Sequence, residues 1–434
     1  MPSYNVSDKT IPRQAAVSIE YDYTGSGSLS AGAMMKYLEN YSYTDPATGE
    51  ANSASITLYN MDMLWASKRL PKKGDKFTAY IDRFNWDSPG KNARFPCGTF
   101  CCDDINFEFP SNVTAVVNGT SVPAKRNFSA KVRSKTWKKI TIKEIARRIV
   151  KRYKLKLNYY ASKIKVATLE QSNKTDLEFL NEMCSSYGLY IKVYRGKVVI
   201  YDAARYEKKA AVATISYKDI ISGSYNSTLA GTYTGATIKY TKGSGKKKKQ
   251  KEYIYKIGTG TRRLVISEKV DGLRDARIKA KAKLLEENRK AETMQITVAS
   301  SKAMDLYAGT NIKITGAYAM TGKWFIEKVT HNVSGSGGYT VQLDLHRVSE
   351  ATTSVPQAAL KKGTRVKVTG KAYVTSNGGK AKKLKNKKMY VLQVAGGNHK
   401  YPYAVSFRKG GKRYGWCARS SLTKVSSKKK KTKK

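Results

Sequence analysis

The chain has 434 residues, 82 of them Lys or Arg against 32 Asp or Glu, which gives a formal charge of +50, and 40% are hydrophobic. At roughly 150 residues per domain the length suggests about three domains, and the apolar share excludes a wholly disordered chain. Such a charge balance is not that of an ordinary cytosolic enzyme and points to a polyanionic neighbour: nucleic acid, anionic cell-wall polymer or an acidic protein surface.

The first 122 residues are nearly neutral, with 11 basic and 13 acidic side chains. Here Ser55 to Tyr59 and Phe77 to Phe84 alternate apolar and polar positions, punctuated by Pro71, Gly74, Pro89 and Gly90, which predicts a β barrel or sandwich over 1–122. The start, MPSYNVSDKTIPRQ, has no apolar segment of signal-peptide type. No stretch approaches the ~18 apolar residues of a membrane span, so no membrane anchoring is expected. Cys97, Cys101 and Cys102 cluster without a second half or a nearby histidine; unpaired or buried thiols are expected there rather than a metal.

Residues 123–210, with 23 basic and 7 acidic side chains, read as an α+β insert. TIKEIARRIVKRY opens with a capping box, Thr141 and Glu144. It places Ile142, Ile145, Ala146, Ile149, Val150 and Tyr153 on one stripe. TDLEFLNEMCSSYG repeats this with Thr175 and Glu178 as the box, Leu177, Leu180, Met183, Cys184 and Tyr187 inward, and Gly188 as the stop. Leu189 to Tyr194 and Lys197 to Tyr201 flank Arg195 and Gly196 as a hairpin.

The β pattern returns over 211–350, around Ile312 to Ile314, Trp324 to Val329 and Tyr339 to Leu345. It is interrupted by a basic loop at 242–251 and a helix from about Leu273 to Lys290 whose narrow stripe is Leu273, Ala276, Ala280 and Leu284. Residues 351–360 read as a linker, 361–425 as a small all-β barrel and 426–434 as a solvated basic tail. The last 79 residues hold 24 basic groups and no Asp or Glu. In the small barrel Tyr373, Tyr401, Tyr403, Tyr414 and Trp416 stand among Lys and Arg as a candidate ligand or docking surface, although each of them alone also fits core packing.

The usual catalytic constellations are absent: no H-E-x-x-H, no G-x-S-x-G and no G-x-x-x-x-G-K-[ST]. Cys417 and His399 share the last domain, but GWCARSSL lies in a strand-rich context without a helix N-terminus to activate the thiol. No enzyme activity, cofactor or metal is expected.

The stretches CGTFCCDDINFEFP, TWKKITIKEIARRIVKRYKLKLNYY, TLEQSNKTDLEFLNEMCSSYGLYIKVYRGKVVIYD and TNIKITGAYAMTGKWFIEKVTHNVSGSGGYTVQLDL together resemble the hub proteins of contractile phage-tail baseplates, related to late control protein D. The order of Trp137, the first capped helix, Gln171, the second capped helix and the hairpin ending at Asp202 carries most of the likeness. The resemblance implies a mainly β fold with two tail-tube-like barrels and the α+β insert. It also implies a homotrimer in the virion or bacteriocin baseplate that joins the hexameric tail tube, or its initiator, to a trimeric central spike. Other baseplate proteins and the tape measure are then neighbours, and assembly takes place in the bacterial host cytoplasm. His331 matches a position where that family often has histidine, and a structural role is implied. GTRVKVTGKAYVTSNGG and YGWCARSSLTKV resemble a bacterial SH3-type barrel, which implies contact either with cell-wall polymer or with another baseplate protein. The alternatives are a cell-wall-binding or lytic tail protein acting through that barrel, and a sequence-independent nucleic-acid binder whose affinity collapses with salt.

Overall fold

The computed structural model describes residues 12–425 except 24–26, 30–33, 87, 111–112, 122–127, 195, 243–250, 259, 300, 337, 349–359, 361, 396–398, 400 and 419–420. Most of the basic loop at 242–251, the linker at 351–360 apart from Leu360, and the tail at 426–434 therefore lie outside the described residues. The chain divides into two compact units, Met1–Ser349 and Glu350–Lys434.

The first unit is mainly β. Alternation sends Ala54, Ile56 and Leu58 of strand Ser53–Tyr59 inward, and likewise Phe77, Ala79 and Ile81 of Lys76–Phe84. Strand Gly322–Ser334 lies antiparallel beside Leu38–Pro46, with Thr330 opposite Thr44 and His331 opposite Tyr43. Through this seam the first and second β regions join one thirteen-stranded sheet. Strand Ala93–Glu108 serves one neighbour along either half, and Gly322–Ser334 pairs along its length with Tyr339–Arg347 while serving Asn311–Thr315 with its first half and Leu38–Pro46 with its second, which is how a sheet turns a corner.

The insert has its own core. Helix α1, Ile142–Arg152, buries Ile142, Ile145, Ala146, Ile149 and Val150 on the expected stripe. Its cap is one-sided: Thr141 Oγ1 accepts from the Glu144 amide at 3.2 Å, while the Glu144 carboxylate is taken by Arg147 and Arg148, both at 2.8 Å. Helix α2, Asp176–Ser186, has the full reciprocal box between Thr175 and Glu178. Asp176 is fully buried and accepts from Tyr153 Oη at 2.5 Å, Gln171 Nε2 at 2.9 Å and Arg152 at 2.9 Å. Strands Leu189–Tyr194 and Lys197–Asp202 form the hairpin, and Lys156–Tyr160 adds in parallel.

A further layer was not evident from the amino-acid pattern. Strands Gly235–Lys242, Lys251–Gly258 and Arg263–Asp271 form a separate sheet, covered by the helix after α3 (Ala203–Glu207), namely α4, Leu273–Arg289. Ala236, Ile238, Val270, Ala276 and Ala280 make its small core. Ala276, Ala280 and Leu284 of the narrow stripe pack on this sheet, whereas Leu273 at the start of the helix is exposed.

The seam is held by a buried carboxylate. Asp45, 1% exposed, accepts from Asn52 Nδ2 at 2.8 Å and from the Ala308 amide at 3.0 Å, and pairs with the Lys192 ammonium of the insert. Removing one partner of such a pair strands the other charge away from water. Asp45→Ala is expected to destabilise the first unit by about 3–5 kcal/mol in denaturant unfolding. Adding Lys192→Met should restore most of the loss; no restoration would show that the pair is not the cause.

Candidate interaction surfaces

From the seam outward the sheet runs through Leu38–Pro46, Ser53–Tyr59, Thr114–Thr120 and the distal half of Ala93–Glu108 on one side. On the other side it runs through Gly322–Ser334, Tyr339–Arg347, Glu292–Val298 and Ile220–Ser227. Each β region thus gives four strands to one continuous run. Among the described residues Ile220–Ser227 pairs only with Glu292–Val298. It reads IISGSYNS, with no charge and no proline, and all but its first residue are exposed. At the opposite end, Lys76 pairs with Cys101 as the last partner on that side. Residues 103–107 then pair only with the strand Thr114–Thr120, among the described residues. Ile220–Ser227 has no Lys or Pro, although its pairing shifts register between Ile220 and Ser222, as the opposite end does between Cys102 and Asp104; a strand edge with open N–H and C=O groups is a template for another strand.

Behind the Ile220–Ser227 edge a cleft of about 440 Å³ is lined by Tyr190, Asn226, Arg289, Glu327 and His346, among others. His346, 3% exposed, has Nδ1 2.7 Å from Glu327 Oε1 and Nε2 3.5 Å from Glu207 Oε1. Arg289 Nε donates to Glu207 at 2.5 Å and Tyr190 Oη donates to Glu327 at 2.7 Å. Burial works against the charged imidazole, but the hydrogen bonds and charges of Glu207 and Glu327 outweigh it and hold its pKa above the ordinary value. Glu207 is itself held low, its burial overridden by His346 and Arg289. These groups pair with one another, His346 Nε2 through its charge contact with Glu207, and link the insert and α4 to the sheet.

The second unit is a small closed barrel. Strand Arg365–Thr375 pairs with Gly378–Val394, that with Tyr403–Ser406, that with Gly415–Cys417, and Trp416 returns to Tyr373. Leu422–Lys424 pairs with Val366–Val368. Among the five aromatic candidates, Tyr373 is directly opposite Trp416 across the strand pair. Tyr403 is in the core and Trp416 is buried, with Arg413 over its ring at 5.6 Å. Tyr373 and Tyr401 stack on each other with centroids 3.8 Å apart. Tyr414 is exposed and meets Phe407 edge to face at 5.0 Å.

Nucleophilic chemistry finds no support in the thiols. Cys97, Cys102, Cys184 and Cys417 are buried and Cys101 half-buried, and none of the five is in a disulfide. Burial pushes Cys102 and Cys417 up to about 11. His399 Nδ1 lies 3.1 Å from Ser376 Oγ and from Asn377 Oδ1. His331 is fully buried at the seam, its Nδ1 2.7 Å from Tyr339 Oη, and burial pushes it down to about 3. It is a neutral ring packed against Phe95 at 4.6 Å and Tyr43 at 5.6 Å.

No family model matches the chain. A protein of Escherichia phage 186 named "Probable baseplate hub protein" is 24% identical over 347 residues, 70% of this chain and 86% of that one. Its namesake in Escherichia phage P2 is 24% identical over 359 residues, 72% and 89% of the two chains. Among solved structures, the 43 kDa tail protein of prophage MuSo2 from Shewanella oneidensis shares the fold with a TM-score of 0.57 at 12% identity, over 77% of this chain and 98% of that one.

The His346 cluster makes the first unit sensitive to pH. An imidazolium between two carboxylates contributes fully below the ordinary histidine value of about 6.5 and is lost as pH rises through the raised value. Thermal melts at a series of pH values should show stability falling above about pH 6.5, and His346→Gln should remove that part of the slope. Equal slopes in the two proteins would refute the assignment.

Proposed function

We propose that the chain is a structural baseplate hub protein of a contractile tail, whose copies associate edge to edge into a threefold ring. The observation that carries this reading is the continuous eight-strand run with an uncharged open edge at Ile220–Ser227 and a second open edge at residues 103–107. Two different edges on one chain suit a heterologous, head-to-tail contact, and such contacts close into rings when the rotation permits. Each chain supplies two four-stranded halves, so three chains supply six positions. A ring of this kind faces a hexameric tail tube with sixfold spacing while offering threefold symmetry to a trimeric spike. The baseplate hub proteins of phages 186 and P2, similar over most of their length, support the same reading.

The Ile221 side chain is 61% exposed in the single chain. Ile221→Lys should therefore change monomer stability by no more than about 0.5 kcal/mol. Placing a lysine on the open edge should abolish ring formation, read by size exclusion with light scattering. A folded variant that still forms the wild-type ring would overturn the edge assignment. Density of another protein at the tip of the tube in electron micrographs of tails would overturn the hub assignment.

A further inference from the structure

Strand direction decides which ends of the two open edges can meet. The eight strands of the continuous run are joined by seven pairings, all of them antiparallel. The first strand, Ile220–Ser227, and the last, the distal half of Ala93–Glu108, therefore run in opposite directions. Rotation about a ring axis keeps each strand's direction along that axis. The Ile220–Ser227 edge of one copy must then meet the 103–107 edge of the next in antiparallel fashion, with the Ile220 end beside the Glu108 end. A parallel junction would need every second copy turned upside down, which a cyclic ring does not allow.

Both of these ends carry apolar side chains that the single chain leaves in water. At the Ile220 end, Ile221 and Tyr217 are exposed and Tyr318 is 91% exposed. The loop that carries Tyr318 runs alongside: a β carbon at Gly316 would stand 3.9 Å from Tyr217 Cβ. At the Glu108 end, Phe109 is 71% exposed, and Tyr59 and Met61 are exposed too. Tyr59 and Glu108 flank Thr114 on its two sides, so the three lie around one strand end. Apolar residues scattered singly over a surface are ordinary; two groups at the ends that rotational symmetry brings together mark a contact.

Tyr318 is held outward against a conformational cost. Its φ of 50° is a left-handed conformation that bulky side chains rarely adopt. The loop is fixed by the Arg347 guanidinium, which donates to the Thr321 carbonyl at 3.1 Å and to that of Ala319. Trp324 Nε1 donates to the Met320 carbonyl at 2.9 Å and the Ala317 amide to Thr321 Oγ1 at 3.0 Å. A braced backbone that displays an aromatic ring loses little freedom when that ring is buried by a partner.

We propose that Tyr318, with Tyr217 and Ile221, is the apolar anchor of the junction between copies and packs on Phe109, Tyr59 and Met61 of the next copy. The inference rests on the ring reading and adds which strand ends meet and which side chain carries the contact.

Purified full-length chain is compared with Tyr318→Gly. Glycine accepts the positive φ, so the variant monomer should melt at or above the wild-type temperature, while its ring dissociates at concentrations at least about tenfold higher in sedimentation. If it fails to fold, Tyr318→Asn, which also tolerates positive φ, serves in its place. The double variant Tyr318→Cys with Phe109→Cys should be joined by a short thiol crosslinker into covalent oligomers up to the size of the ring, and neither single variant should be joined. Unchanged ring affinity in the folded Tyr318→Gly chain, or a ring in which the double variant is not joined, would overturn this contact and leave the ring reading standing. Crosslinking of either single variant, or a wild-type chain that stays monomeric at every concentration, would overturn both.

Discussion

The first unit depends on Asp45 being charged, buried and shared. Its two oxygens meet Asn52 from the strand next to its own, the Ala308 amide from the second β region and Lys192 from the insert. Three segments far apart in the chain therefore converge on one carboxylate. Apolar packing along the seam is non-directional and does not by itself select these polar partners. A charge that must be matched at one position ties Leu38–Pro46 to the insert and to the segment at Ala308. The neutral His331 and its aromatic neighbours then fill the space beside it.

The remaining buried charges follow the same rule at the joints between layers. Asp176 is met by Arg152 and Arg133 within the insert, Arg289 by Glu207 between α4 and the short helix α3, and Lys279 by Glu268 between α4 and its sheet. Arg289 and Glu207 join elements packed on different hydrophobic cores, whereas the Asp176 and Lys279 pairs each lie within one core. Specific orientation of stacked layers is what such pairs supply, since their net contribution to stability is small beside the cost of breaking them. A rigid relation between the insert and the long sheet in turn keeps the outer strand edges in a constant orientation.

Local elements were legible in the amino-acid pattern, whereas relations between them were not. The stripe from Ile142 to Tyr153 and the Thr175–Glu178 box depend on residues within two helical turns, and both helices stand where those signals put them. Even there Glu144 departs, because Arg147 and Arg148 compete for it more strongly than a backbone amide does. The open edge at Ile220–Ser227 is a property of sheet order and has no local signature; IISGSYNS only looks unusual once it is known to lack an outer partner. Tyr403 and Trp416 were indistinguishable from surface aromatics because their facing depends on barrel closure. That Lys371 lies opposite Lys383, and Lys367 opposite Lys388, could not be seen either, since the register is set across the bulge at Asn386.

The positive charge of the chain thus has two physical settings. In the first unit carboxylates are plentiful, and the buried Lys279 and the largely covered Lys192 and Arg289 all have acidic partners. There, excess charge is left to exposed positions, where water and salt screen it over about 10 Å or less. In the second unit screening is all that is available, because the barrel has no acid of its own. Repulsion between opposed lysines grows as salt is removed, so this small barrel should be the part of the chain whose stability rises most with ionic strength.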